Sequence, residues 1–280
     1  MRRKHFLGLG PNGFHRIAYT EWGDPANRRV LVCLHGLTRN SRDFEPLAQA
    51  LAEEWRVICP DMPGRGDSEW LPAKADYNYH LYQSDCAALI ARLDVDQVDW
   101  LGTSMGGVIG MALASRMGAP IRRLILNDIG PFVPGAALQR IAAFLGSDPR
   151  FRSLAEAEAA LRKSMTTFGI RQPEHWRFVT EVSTEPAENG TYRLRYDPGI
   201  ADTFKAALDD ASFWPLWDNI RCPVLVLRGT ESDLLLPETA DEMTRRGPKA
   251  DVVEIPACGH APMLLEDEQI TLVRDWLARE

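Results

Sequence analysis

No stretch of this 280-residue sequence is apolar for long enough to span a membrane, and no long run carries a single sign of charge. The 32 basic residues are outnumbered by 39 acidic ones, for a net charge of −7, so the cationic footprint of a nucleic-acid binder is missing. Internal repeats and low-complexity segments are absent too. The cysteines, Cys33, Cys59, Cys86, Cys222 and Cys258, are odd in number, and three lie in or beside apolar strand-like runs. That pattern excludes a closed disulfide framework and leads us to expect buried thiols in a reducing cytoplasm. The basic opening Met1-Arg2-Arg3-Lys4 is followed by an apolar stretch that glycines and Pro11 cut too short for a signal-peptide core. What is present is a globular composition, 45% hydrophobic, long enough for one sizeable core with an insertion. Its charge balance points to a small-molecule substrate, with neither nucleic acid nor membrane as partner.

Short apolar runs recur at Arg29–Leu34, Trp55–Cys59, Val98–Leu101, Arg122–Leu126, Pro223–Arg228 and Asp251–Ile255. Most are continuous rather than alternating, the signature of strands covered on both faces of a largely parallel sheet. Helical stripes separate them: Phe44, Leu47, Ala48 and Leu51 at i, i+3, i+4, i+7, then Tyr82, Cys86, Leu89, Ile90 and Leu93. This alternation predicts an α/β, doubly wound fold with a mostly parallel sheet. It stops after Pro131 and resumes near Cys222. We therefore expect a core of residues 1–131 and 213–280, interrupted by a mainly helical cap over 132–212. In that insertion Leu138, Ile141, Ala142 and Leu145 form a stripe, Ser153 and Glu156 make a capping box, and Asn189-Gly190 precedes the alternating Tyr192, Leu194 and Tyr196 of a hairpin.

Gly102-Thr103-Ser104-Met105-Gly106-Gly107 follows a strand-like run and precedes a helical pattern with Val108, Ile109, Ala112 and Leu113. A nucleophile presented on such a tight strand-to-helix turn needs small residues two before and two after it, because the neighbouring backbones pack closely. Glycines stand at both places, which nominates Ser104. A serine hydroxyl needs a base, and His260, in Ala257-Cys258-Gly259-His260 after the last strand-like run, is the only histidine beyond residue 175. By placement His5, His15, His80 and His175 read as surface or cap residues, and His35 as structural. Two carboxylates sit at strand ends where an acid partner is needed. Asp233, after the glycine turn in Gly229-Thr230-Glu231-Ser232-Asp233, is preferred; Asp128, in Asn127-Asp128-Ile129-Gly130, is the alternative. The expected oxyanion hole is the backbone N–H of Met105, next to the serine, with that of Leu37 in the early loop His35-Gly36-Leu37.

With these residues in place the chain resembles the α/β-hydrolase superfamily over nearly its whole length, with Asp61-Met62-Pro63-Gly64-Arg65-Gly66-Asp67-Ser68 as a further matching turn. In that family this turn organises the floor of the site. The resemblance implies a two-step acyl-enzyme mechanism without cofactor or metal, on a small carboxyl ester or lactone. It disfavours dehalogenases and epoxide hydrolases, which carry aspartate where this chain has Ser104. C–C hydrolases of ring-cleavage products remain the alternative, although the glycine-rich run they usually show after the first His-Gly is here Leu37-Thr38-Arg39. A non-hydrolytic ligand receptor of the same fold also stays open, and turnover separates it from an enzyme.

Overall fold

A computed structural model describes residues 1–279. The chain opens with β1 (Arg2–Gly10) and β2 (Gly13–Trp22), then β3 (Val30–Leu34), α1 (Glu45–Leu51), β4 (Arg56–Pro60), α2 (Tyr79–Ala91), β5 (Val98–Thr103), α3 (Met105–Ala114) and β6 (Ile121–Asn127). The inserted segment carries β7 (Phe132–Val133), α4 (Gly135–Ala142), α5 (Leu154–Ser164), α6 (Pro173–Ser183), β8 (Thr184–Pro186), β9 (Tyr192–Leu194), α7 (Ile200–Phe204), β10 (Ala211–Ser212) and α8 (Trp214–Trp217). The core resumes with β11 (Val224–Gly229), α9 (Pro237–Arg245), β12 (Asp251–Ile255) and α10 (Asp267–Leu277).

Eight strands form one sheet in the order β1-β2-β4-β3-β5-β6-β11-β12. From β4 through β12 all neighbours are parallel, and β1 and β2 add an antiparallel edge. The six parallel strands lie on the six apolar runs, and their lack of alternation has a direct cause. Val30, Val32 and Leu34 pack with α2 and α3 on one face, while Leu31 and Cys33 pack with α1 and α10 on the other. The same split divides Leu124 and Leu126 from Ile125, and Val224 and Val226 from Leu225 and Leu227. The inner strands thus bury apolar side chains on both faces, which is the main driving force for this architecture. The β1–β2 hairpin was not legible: its outward residues include Leu7, Leu9 and Phe14, all exposed, so the usual polar-out alternation is blurred.

In the inserted segment β8 and β9 pair antiparallel around Asn189 and Gly190, both at positive φ as a tight reversal requires. Ser153 caps α5 by accepting from the Glu156 N–H at 3.2 Å, while the Glu156 carboxylate accepts from the Arg152 N–H rather than from Ser153, a capping box displaced by one residue. This segment is tied to loops that leave the carboxyl ends of sheet strands. Asn40, after β3, donates to Val182 O at 2.7 Å; the Gly66 N–H, after β4, donates to Arg195 O at 3.0 Å; the Gly259 N–H, after β12, donates to Thr167 O at 2.5 Å. All five cysteines are free thiols, four of them buried. No helix among the described residues is long and apolar enough to cross a membrane.

Candidate active site

The strand order places β3 between β4 and β5, so the chain leaves the carboxyl ends of β3 and β5 in opposite directions and opens a crevice there, the usual ligand position in such sheets. Ser104 stands at that edge, between β5 and α3, with φ 51° and ψ −115°. A non-glycine residue in this region is strained by ~1–3 kcal/mol and persists only where its surroundings fix it. The fixing groups are visible. A methyl group on Gly102 would fall 2.3 Å from the Gly106 carbonyl, and one on Gly106 would fall 2.1 Å from Leu34 O. Both are backbone clashes that no side-chain movement relieves, so the two glycines are required by close approach of α3 to β5 and β3. The Ser104 N–H is itself taken up by Asn127 O at 3.1 Å.

The Ser104 hydroxyl lies 2.9 Å from Nε2 of His260, and Nδ1 of the same ring lies 2.8 Å from Oδ2 of Asp128. A carboxylate only accepts, so Nδ1 carries the proton and Nε2 is left as the acceptor for the serine O–H. Asp128 is fully buried, at the end of β6, and accepts two further hydrogen bonds, from the Gly229 N–H at 2.8 Å and from the Ser232 hydroxyl at 2.6 Å. The Ser232 oxygen in turn accepts from the Leu234 and Leu235 N–H groups. Asp128 is therefore held by two donors, one on each carboxylate oxygen, besides the imidazole.

The preferred acid of the sequence reading is not the one that faces His260. Asp233 lies with its carboxylate half exposed, bound by Arg140 of α4 at 2.5 and 2.8 Å. The loop after β11 does reach the site, but it delivers the Gly229 N–H and the Ser232 hydroxyl; one residue later the turn points Asp233 outward. Asp128, the alternative, occupies the position beside the imidazole.

Gly36 brings the early loop against the serine: a methyl group there would touch Ser104 Cβ at 3.7 Å, ordinary van der Waals contact. The N–H groups of Leu37 and Met105 find no acceptor among the described residues. They are thus free to serve an oxygen beside Ser104, the second at the N-terminus of α3 where the helix dipole adds to the attraction. His35 is fully buried, donates from Nδ1 to Gly36 O at 2.7 Å and accepts the Met62 N–H on Nε2 at 3.0 Å. Burial lowers its pKa to about 3, helped by the charges of Arg65 and Arg39. It is a neutral brace between the loop after β3 and the turn after β4. Asp61 in that turn accepts from the Ser41 and Asp67 N–H groups, while burial raises its carboxyl to about 6. Phe168 from the inserted segment sits edge-on to the His260 ring at 6.5 Å. Cys258, two residues before His260, is no rival nucleophile: burial, with the Asp128 and Glu231 carboxylates, pushes its thiol up to about 12. Of the remaining histidines, His15 departs from its expected surface position and is buried against Asp85, with Nε2 at 2.9 Å from the carboxylate.

The sequence reading missed Ser232, Arg65 and Phe168 as members of this neighbourhood. Ser232 and Arg65 lie inside motifs already singled out, but no period or spacing tells which residue of a turn points inward.

The family model of the alpha/beta hydrolases matches residues 31–272. The chain belongs to the alpha/beta hydrolase family. Among relatives, it is 47% identical over 274 residues to the 3-hydroxybutyrate-oligomer hydrolase of Cupriavidus necator, covering 94% of this chain and 93% of that one. It is 28% identical over 240 residues to a 2-hydroxymuconate semialdehyde hydrolase of a Pseudomonas species, covering 81% and 78%. A crystal structure of an alpha/beta hydrolase from Novosphingobium aromaticivorans superposes with a TM-score of 0.89 at 35% identity, over 99% of both chains.

Proposed function

We propose that this alpha/beta hydrolase cleaves carboxyl esters of short hydroxyacyl chains through an acyl-enzyme on Ser104, with 3-hydroxybutyrate oligomers as the leading substrate. The observation that carries the reading is the hydrogen-bonded line Ser104–His260–Asp128, at 2.9 and 2.8 Å, on a strained strand-to-helix turn. The substrate class is supported by the 47% identical relative, whose name specifies such oligomers and whose length is matched almost throughout.

In this reading Ser104 Oγ attacks the ester carbonyl carbon while His260 Nε2 takes its proton. Asp128 keeps the proton on Nδ1 and stabilises the imidazolium without taking that proton. The carbonyl oxygen becomes an oxyanion between the Leu37 and Met105 N–H groups, two donors fixed before the charge forms. Collapse of the tetrahedral adduct expels the alcohol, which receives the proton from Nε2. Water then enters, His260 removes its proton, and the carboxylic acid leaves with Ser104 restored. No electron changes hands, and the chain's own groups with water supply every proton. The inserted segment serves as a cap over residues 132–212, and its Phe168 helps to screen the imidazole from bulk water.

The reading is tested with purified wild type and Ser104→Ala on p-nitrophenyl acetate through decanoate and on 3-hydroxybutyrate dimer and trimer. Many turnovers, lost by ~10⁶ in the variant, are expected. A second reading, C–C hydrolysis, draws on the 28% identical relative. Turnover of a 2-hydroxymuconate semialdehyde with no ester activity would favour it, and binding without turnover on either substrate would favour a receptor.

A further inference from the structure

Arg65 is wholly buried beneath the site, and among the described residues no carboxylate lies within ion-pair distance of it. Its partners are neutral. Nε donates to Leu37 O at 2.8 Å, Nη1 to Pro63 O and to the Tyr82 hydroxyl, both at 2.7 Å, and Nη2 points at Met105 Sδ at 3.6 Å. The guanidinium also lies over the rings of Tyr82 and Tyr77, at 5.0 and 5.7 Å from their centroids. An arginine stays charged in any protein environment, and taking its charge out of water is costly. Had the fold needed only a filler or a hydrogen-bonding strut here, a neutral side chain would serve without that cost. The residues it grips are informative: Leu37 and Met105 are the two whose N–H groups face the carbonyl oxygen in the ester-hydrolase reading.

We propose that Arg65 is a positioning residue of the oxyanion hole, its buried charge, unpaired by any carboxylate in direct contact, both holding the Leu37 and Met105 segments and favouring the negative charge that develops between their N–H groups. The inference rests on the ester-hydrolase reading. In the ground state the carbonyl oxygen is nearly neutral and gains little from Arg65; in the tetrahedral adduct it carries a full charge in a low-dielectric surrounding, where the attraction is stronger. The effect belongs to kcat rather than to KM.

The test uses Arg65→Met, which keeps the length of the stem and removes the charge, and Arg65→Lys, which keeps the charge and most of the stem. Each is assayed below its own melting temperature, with wild type and Ser104→Ala alongside. Deleting an oxyanion donor outright costs ~10²–10³ in kcat, so loss of its support should cost Arg65→Met roughly 30-fold, with KM within about 3-fold. Affinity for an alkylboronic acid, whose serine adduct is an anionic tetrahedron, should fall in proportion to kcat/KM, and Arg65→Lys should keep kcat within about 5-fold of wild type. Either variant decides by itself. A folded Arg65→Met with wild-type kcat and boronate affinity overturns the proposal, as does a folded Arg65→Lys that loses 30-fold or more. Absence of Ser104-dependent turnover in wild type would sink the ester reading instead, a different result from Ser104-dependent turnover indifferent to Arg65.

Discussion

Replacing Asp128 with asparagine changes one atom of the buried carboxylate, and the hydrogen bonds around that carboxylate set the consequence. It accepts from the Gly229 N–H on Oδ1 and from the Ser232 hydroxyl and His260 Nδ1 on Oδ2. If the asparagine carbonyl stays toward Gly229, its NH2 faces the imidazole and a serine oxygen already accepting from Leu234 and Leu235. Nδ1 must then be unprotonated, so the ring proton moves to Nε2 and points at Ser104, abolishing the base. If the amide flips, the NH2 meets the Gly229 N–H, two buried donors face to face at a cost of ~1–3 kcal/mol. The first arrangement is the less costly, and a wrong tautomer of this kind lowers kcat by ~10⁴, or about 5.4 kcal/mol of transition-state stabilisation. Asp233→Asn, which only weakens a half-exposed ion pair with Arg140, should stay within ~3-fold of wild type. Steady-state hydrolysis of p-nitrophenyl butyrate at pH 7.5 measures both. Asp128→Asn within 10-fold of wild type, or Asp233→Asn as impaired as Asp128→Asn, would refute the assignment of the acid.

Burial holds His35 at about 3 in the folded chain against about 6.5 when free, so below pH 6.5 the unfolded chain binds a proton that the folded one refuses, and stability falls as pH drops. From pH 6.5 to 5.0 wild type should lose roughly 2 kcal/mol more than His35→Gln in urea unfolding; equal slopes would contradict the buried neutral tautomer. Asp61, raised to about 6, acts with the opposite sign between about pH 4 and 6, but it is present in both proteins and leaves the difference intact. Gly106→Ala should destabilise the chain by ~3 kcal/mol or more, since its methyl group meets the Leu34 carbonyl, whereas Gly36→Ala, with only van der Waals neighbours, should stay within ~1 kcal/mol. Thermal melting of the two variants checks this, and equal melting temperatures would refute it.

The parallel core was legible because most of its strands bury both faces and so appear as unbroken apolar runs, as in Val30–Leu34 and Val224–Leu227. Ser104 could be nominated because its turn needs glycine at two fixed offsets, and a spacing survives in one dimension. His260, alone beyond residue 175, could be nominated by its position. The acid could not be resolved the same way. Asp128 and Asp233 both follow strands, and which one turns inward depends on a positive-φ residue at 128 and on the direction of a turn at 229–233, neither encoded by residue type alone. The β1–β2 edge was hidden by its exposed apolar residues, and the role open to Arg65 by its place within a motif known chiefly for its glycines.

The most direct measurement is intact-protein and peptide mass spectrometry after brief reaction with a p-nitrophenyl alkylphosphonate, which phosphonylates an activated serine and stays attached. The expected result is one equivalent of label, located on the peptide carrying Ser104 and absent from His260→Ala. No label, or label on another residue, would contradict an acyl-enzyme formed on Ser104.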